Sequence, residues 1–213
     1  GTVNLIAAAT AAGVTRFIQL GALGVEERAD LHYANSKARG ERAVRESSLD
    51  WTILKPSLIW GERDGFFNIV AALVKIPAPV VPVPGNGKSR FQPVWVGDVA
   101  RAIVQVLDAP KGSIKASFDL GGPRYWTYAE ITREVARALG KRRIIIPMPV
   151  PLITLVARIS EAIRLPLPVA TDQLRQLALD NIGATDAVER ELGFAPVDMG
   201  GRLGYLKRKI GKQ

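Results

Sequence analysis

The sequence predicts an α/β protein built on a parallel sheet and continued by a mainly helical segment. Three features carry that expectation. Short apolar runs at Thr15–Leu20, Trp51–Trp60 and Ser117–Leu120 are bounded by glycine, polar or amphipathic stretches of helical length separate them, and the pattern turns helical beyond about Pro147. Parallel neighbours need a crossover connection, so strand–helix alternation is the rhythm of a parallel sheet.

In order, Val3 to Ala12 reads as a helix, with Leu5, Ile6 and Ala9 at helical spacing and Gly13 closing it. Thr15–Leu20 reads as a buried strand and Tyr33–Glu46 as a polar helix. Trp51–Trp60 is the second strand, closed by Gly61, and Phe66–Lys75 the next helix. Pro77, Pro79, Pro82 and Pro84 force the following stretch to be extended or looped. Gly85-Asn86-Gly87 is a turn, Phe91–Val96 a strand, and Asp98 the expected N-cap of a helix through Leu107. Ser117–Leu120 ends at Gly121-Gly122. Thr127-Tyr128-Ala129-Glu130 then has the capping-box spacing ahead of an amphipathic helix ending near Gly140. A proline hinge is expected at Pro166–Pro168. The sequence opens inside a helix with no strand before it, so the front half of a sheet is expected to be missing.

Composition narrows the function classes. At 213 residues, the chain fits one large domain or two small ones at roughly 100–200 residues each. Apolar content of 47% and charged content of 23% exclude a disordered tail or a fibrous repeat. No cysteine is present and His32 is the single histidine, so no disulfide framework, thiolate centre or histidine-rich metal site is expected. No apolar run reaches the roughly 18–20 residues of a membrane span. The net charge of +9 is unevenly spread: residues 1–110 carry 12 basic and 10 acidic side chains, whereas 111–150 carry 8 and 3. Lys141-Arg142-Arg143 and the tail after Asp198 hold most of the excess. Neither is interleaved with aromatics, and neither accompanies a nucleic-acid-binding signature, so no nucleic-acid partner is expected. A solvated basic surface is the plainer reading. Peripheral contact with anionic lipid, through helices at 151–165 and the cationic tail, is the alternative.

Chemistry points to His32-Tyr33-Ala34-Asn35-Ser36-Lys37. Tyr33 and Lys37 stand at i and i+4, one turn apart on one helix face. An ammonium beside a phenol lowers its pKa, which suits a general acid/base acting on a carbonyl or alcohol. Spacing alone leaves a solvated helix face open, since Tyr205 and Lys209 repeat it in the tail. Only Tyr33 follows a glycine-bounded strand.

The segments RFIQLGALG, YANSKARGE, LKPSLIWGERDGFF, RFQPVWVGDVARAI and FDLGGPRYWTYAEI, in that order, resemble an extended or atypical short-chain dehydrogenase/reductase of the NAD-dependent epimerase/dehydratase superfamily. The nearest likeness is to the group related to the 39 kDa accessory subunit of respiratory complex I. It runs from Gly1 to about Tyr205. The resemblance implies the C-terminal part of a doubly wound parallel Rossmann sheet, with residues 1–122 as its remnant. Residues 123–213 would form a smaller, mainly helical substrate domain to which 61–95 partly contribute. It implies an NAD or NADP cofactor and a small-molecule substrate. Tyr33 would be the proton donor/acceptor, with Lys37 lowering its pKa and holding the nicotinamide ribose. Gly21, Ala22, Pro56, Ser57 and Leu58 would line the cofactor. Arg90 would meet a substrate phosphate, with Trp60 and Phe67 on the substrate side as core or pocket wall. The expected location is cytoplasmic.

Two departures from the family pattern bear on activity. The Gly-rich G-x-x-G-x-x-G turn and its strand are absent from this sequence, so dinucleotide binding is expected to need that missing half. The family's Ser or Thr before the tyrosine helix is replaced by Leu20-Gly21-Ala22, which removes a hydroxyl that polarises the carbonyl. The chain is therefore expected to be either an oxidoreductase or epimerase-like enzyme using Tyr33 and Lys37, or a catalytically weak dinucleotide-binding scaffold, assembly or redox-sensing subunit.

Overall fold

The computed structural model describes residues 1–24, 32–108, 112–149, 151–153, 177 and 179–208. Helix α1 (Thr2–Ala11) leads through Gly13, at φ 70°, into strand β1 (Arg16–Leu20). Then follow α2 (His32–Glu46) and β2 (Asp50–Pro56). After β3 (Ile59–Trp60) come α3 (Phe66–Lys75), β4 (Val80–Pro84), β5 (Arg90–Phe91) and β6 (Val94–Trp95). Next are α4 (Val96–Asp108), β7 (Ala116–Leu120), β8 (Trp126–Thr127), α5 (Tyr128–Ala138) and β9 (Ile144–Met148). A short helix α6 (Ala187–Leu192) and a 3-10 turn (Leu203–Lys207) complete the described elements.

The main sheet has the order β1-β2-β7, parallel throughout, with Leu20 beside Leu54 and Pro56 beside Leu120. Central strand β2 reads WTIL because both of its faces are covered, and Trp51, Thr52, Ile53 and Leu54 are all buried. On one face Trp51 and Ile53 meet Val44 of α2, with Ile6 of α1 against them. On the other, Leu54 and Leu120 meet Val99, Ala102 and Val106 of α4 and Val188 and Leu192 of α6. Helices on both faces make the α/β Rossmann-like fold. Strand β1 is less buried than expected, its residues being half-buried to exposed.

The amino end of the sheet is tied by Arg16. Its guanidinium donates to the Asp50 and Val106 carbonyls, both at 2.8 Å, and to Thr52 Oγ1 at 2.8 Å. Thr52 in turn donates to the Ser113 carbonyl at 2.5 Å, so this fully buried hydroxyl is satisfied on both counts.

A second core gathers Trp60, Phe67, Val70, Val81 and Phe91 with Tyr128, Ile131, Val135, Met199 and Leu203. Around it lie the parallel pairs β3–β6 and β4–β9 and the antiparallel pair β5–β8. The capping box at Thr127 is present, with the Thr127 N–H donating to Glu130 Oε2 at 2.7 Å and the Glu130 N–H to Thr127 Oγ1 at 3.2 Å.

Several expectations need correction. The run Trp51–Trp60 is two strands broken at Ser57-Leu58, and Phe91–Val96 is two strands broken at Gln92-Pro93, where proline has no N–H for a ladder. The proline-rich stretch is extended, as expected, and holds strand β4, whose prolines stand on a two-stranded ribbon with an edge that tolerates a missing donor. Asp98 does not cap α4, which begins at Val96. It is buried inside the first turn, where it accepts the Val197 N–H at 2.7 Å and pins the C-terminal segment there. The helices expected at 151–165 and the hinge at 166–168 lie outside the described residues, apart from 151–153.

Asp64 and Tyr205 join the start of α3 to the 3-10 turn. Asp64 Oδ1 accepts the Phe67 N–H at 2.6 Å, and Tyr205 Oη donates to Asp64 Oδ2 at 2.5 Å. Burial pushes both groups above their ordinary values, and Asp64 raises Tyr205 further. Tyr205→Phe leaves a half-buried carboxylate oxygen without its donor. Chemical denaturation should show a loss of about 1–3 kcal/mol.

Candidate functional site at the carboxyl ends of β1 and β2

In open parallel sheets ligands bind beyond the carboxyl ends of the strands, and that edge here gathers most of the predicted residues. The Gly21 N–H donates to the Leu54 carbonyl at 2.8 Å, the Leu23 N–H to Pro56 at 2.9 Å and the Ser57 N–H to Leu120 at 2.9 Å. These bonds set Gly21-Ala22 beside Pro56-Ser57-Leu58. Lys37 reaches the same edge from α2, with Nζ 3.4 Å from the Leu20 carbonyl and 5.9 Å from the centroid of the Tyr33 ring. Tyr33 is half-exposed, 50% by area, so its hydroxyl is within reach of a ligand.

The electrostatics run against expectation at Tyr33. Partial burial holds its phenol above the ordinary value, rather than a neighbouring ammonium drawing it down. The lysine spends its charge over the ring and against a backbone carbonyl, and desolvation decides the direction.

Gly21 has a cause that the sequence does not display. A Cβ at this position would stand 2.3 Å from Glu41 Oε1 and 3.3 Å from Ile53 Cγ2. Glu41 lies on α2 two turns beyond Tyr33, and its Oε1 is buried with no hydrogen-bond partner among the described residues. The carboxylate fills the space that a serine or threonine side chain would need at the end of β1.

Ser57 is buried, and its hydroxyl is used inside the protein. It donates to Asn181 Oδ1 at 2.5 Å and accepts the Gln92 N–H at 3.1 Å. Asn181 Nδ2 donates to the Leu23 carbonyl. Gln92, 1% exposed, donates to the Gly122 carbonyl at 2.8 Å and accepts the Gly183 N–H at 2.9 Å. This knot of Ser57, Gln92 and Asn181 straps residues 181–183 across the ends of β1, β2 and β7. Sequence reasoning missed Gln92, Asn181 and Glu41. The one visible signal was a polar Gln92 inside the apolar run RFQPVW.

Arg90 has a half-exposed guanidinium that is paired within the protein. Its Nε and Nη2 donate to Asp180 Oδ2 at 2.9 and 2.6 Å, and its N–H donates to Asp180 Oδ1 at 2.8 Å. The Arg90 N–H, followed by its guanidinium, holds Asp180 below the ordinary carboxylate range. The stability from a depressed carboxyl is present above its unfolded pKa, about 3.9, and is lost as pH falls through the folded value. Both side chains are about half exposed, so screening keeps the pair below about 1 kcal/mol. Asp180→Asn should therefore cost that small amount at pH 7 and nothing near pH 2, read from urea midpoints at the two pH values.

Trp60 and Phe67 are not brought to this edge. Phe67 is fully buried at the centre of the second core, edge-on to Phe66 at 5.1 Å, and Trp60 is 4% exposed beside Trp95. Both act here as packing.

Comparison with known proteins agrees with the geometry. A family model described as NAD(P)H-binding matches residues 1–110. The NADH dehydrogenase [ubiquinone] 1 alpha subcomplex subunit 9, mitochondrial, of Arabidopsis thaliana is 30% identical over 192 residues, covering 88% of this chain and 47% of that protein. The mitochondrial NADH-ubiquinone oxidoreductase 40 kDa subunit of Neurospora crassa is 28% identical over 188 residues, covering 87% and 48%. Among solved structures, an NADPH-dependent quinone oxidoreductase (QOR2) from Escherichia coli superposes with a TM-score of 0.74 at 16% identity, over 97% of this chain and 73% of that one. The chain thus spans about half the length of the curated relatives it matches. Among the described residues no helix is long and apolar enough to cross a membrane. The chain belongs to the family described as NAD(P)H-binding, and it is similar to subunits of mitochondrial NADH dehydrogenase.

Proposed function

We propose that the carboxyl edge of β1 and β2 is the nicotinamide-ribose half of an NAD(P)-dependent oxidoreductase or epimerase-type site, with Tyr33 as acid/base. The observation that carries this reading is Lys37 Nζ lying 3.4 Å from the Leu20 carbonyl, which anchors the lysine at the strand end one turn from Tyr33. Glu41 Oε1, buried beside Gly21 with no hydrogen-bond partner among the described residues, marks the same corner as polar. The dinucleotide, when bound, supplies or accepts hydride. Lys37 donates hydrogen bonds to ribose hydroxyls, and the Tyr33 hydroxyl gives a proton to the substrate oxygen during reduction or takes it during oxidation. No Gly-rich turn in this sequence cradles a pyrophosphate, so the grip on the rest of the dinucleotide is weak in this chain.

A second reading, that of a dinucleotide-binding subunit without turnover, is favoured by one observation. Gly21-Ala22 offers no hydroxyl to polarise a carbonyl, and Glu41 occupies the space one would need. Both readings are tested with millimolar NADH or NADPH and a panel of aldehydes, ketones and quinones. Cofactor oxidation that requires both protein and acceptor supports the enzyme. Saturable cofactor binding with no oxidation across the panel supports the subunit and rejects the oxidoreductase.

A further inference from the structure

At the far end of α5 the surface carries a separate feature. A groove of about 470 Å³ is bordered by Arg133, Arg137, Lys141, Arg142 and Arg143. Among the described residues two carboxylates answer these five cations: Glu134 pairs with Arg137, and Glu130 lies close enough to Arg133 to interact with it. Glu134 is itself buried and also accepts the Gly201 N–H at 2.9 Å. Arg143 is fixed in place by donating to the Val74 and Ile76 carbonyls at 3.0 and 3.1 Å. Among the described residues no ion pair is made by Lys141 or Arg142, and both are exposed. A helix carboxyl end favours cations in its last turn, which accounts for Arg137. Lys141 and Arg142 lie beyond that turn.

The cations lead directly into β9. In the β4–β9 ribbon Ile144 is in register with Val80, and Ile146 with Pro82. Side chains alternate across a strand, and Val81, Val83 and Ile145 turn to the core. The opposite face therefore carries Val80, Pro82, Ile144 and Ile146. Ile144 is 63% exposed, Ile146 40% and Val80 39%. A solvated basic surface on a two-stranded edge would place polar side chains at these positions.

We infer that this face is a docking surface for an anionic lipid bilayer. The groove supplies charge complementary to lipid phosphates and carboxylates, and the isoleucines supply aliphatic groups that enter the boundary between headgroups and acyl chains. An acidic peptide would answer the cations and leave the aliphatic row in water. Contact is peripheral.

Flotation of the protein with vesicles tests the inference, using phosphatidylcholine alone and phosphatidylcholine with about one-third phosphatidylserine. The expected result is binding to the anionic vesicles at least fivefold above the neutral ones, falling severalfold as salt rises from about 0.05 to 0.5 M. Arg142→Glu should cut binding at least fivefold, whereas Arg39→Glu, the same charge change on α2, should leave it within twofold. Ile144→Ser with Ile146→Ser should weaken it severalfold at unchanged circular dichroism. Inorganic phosphate at about 10 mM should not compete. No binding to anionic vesicles by the folded protein overturns the inference, as does equal binding to neutral ones. Binding indifferent to the serine pair, or abolished by inorganic phosphate, means that the groove reads an anion and not a bilayer. If another part of the chain covers this face, the serine pair lowers the melting temperature and leaves vesicle binding untouched, which also overturns it.

Discussion

Tyr33→Phe is expected to slow reduction of a carbonyl acceptor by about 10²–10⁴-fold while leaving cofactor affinity within about threefold. That factor corresponds to about 2.7–5.5 kcal/mol of transition-state stabilisation. It is assigned to one proton because the hydroxyl is the only part of the side chain the substitution removes. The ring stays to face Lys37, so a change confined to rate separates proton transfer from binding. The pH dependence carries a second signature. Burial holds the Tyr33 phenol above its ordinary value, near 10 for an unperturbed tyrosine, so it keeps its proton through neutral and mildly alkaline conditions. Reduction should stay flat to about pH 10 and fall only above it, and oxidation should rise over the same alkaline range. A reduction rate that already falls between pH 7 and 8 would mean that the proton comes from another group.

Gly122→Ala is expected to have the largest effect on stability, about 3 kcal/mol or more. A Cβ there would lie 2.1 Å from the Pro93 carbonyl oxygen, which is backbone and cannot rotate away. Relief requires Gly122 to move from a crossing where its N–H donates to the Gln92 carbonyl at 3.0 Å and its carbonyl accepts Gln92 Nε2 at 2.8 Å. A shift strands the buried Gln92 amide, and each unsatisfied buried group costs about 1–3 kcal/mol. For a chain of this size the melting temperature should fall by about 6–12 °C. Gly204→Ala, where nothing lies within 4 Å, is the control and should change little. Because the Gln92 amide also braces residues 183–184, any Gly122→Ala protein that folds should bind cofactor more weakly as well.

The parts of the fold that showed in the sequence are those decided by local chemistry. Strands β1 and β7 are short runs ending at glycine, β2 shows as the apolar core of a longer run, and the Thr127/Glu130 box states its own helix start. The parts that did not show depend on distant residues. Strand β4 showed only as an extended or looped stretch, because Pro82 and Pro84 leave the choice open until β9 is seen beside them. Asp98 has the composition of a cap, yet its partner is the Val197 N–H, 99 residues away. Arg90 showed as an exposed guanidinium, whereas its pairing with Asp180, 90 residues away, did not.

The candidate site divides the same way. Tyr33 and Lys37 were legible because a helix fixes their spacing, and Gly21-Ala22 because a hydroxyl is conspicuously missing from the resemblance. The direction of the Tyr33 shift was not legible, since desolvation is a property of the packed surroundings. Glu41 against Gly21 was not legible either, because only the crossing of α2 over the end of β1 brings the two together. That contact implies that Gly21→Ser requires the Glu41 carboxylate to move aside.

In the proposed site this chain's own hold on the dinucleotide lies at the nicotinamide-ribose end, through Lys37. Titration of reduced nicotinamide mononucleotide and of NADH or NADPH, followed by ligand-observed NMR on the protein and on Lys37→Ala, tests it most directly. Mononucleotide and dinucleotide should bind within about tenfold of each other, and Lys37→Ala should weaken both by a similar factor. A dinucleotide preference of more than about a hundredfold, or affinities indifferent to Lys37, would contradict the account.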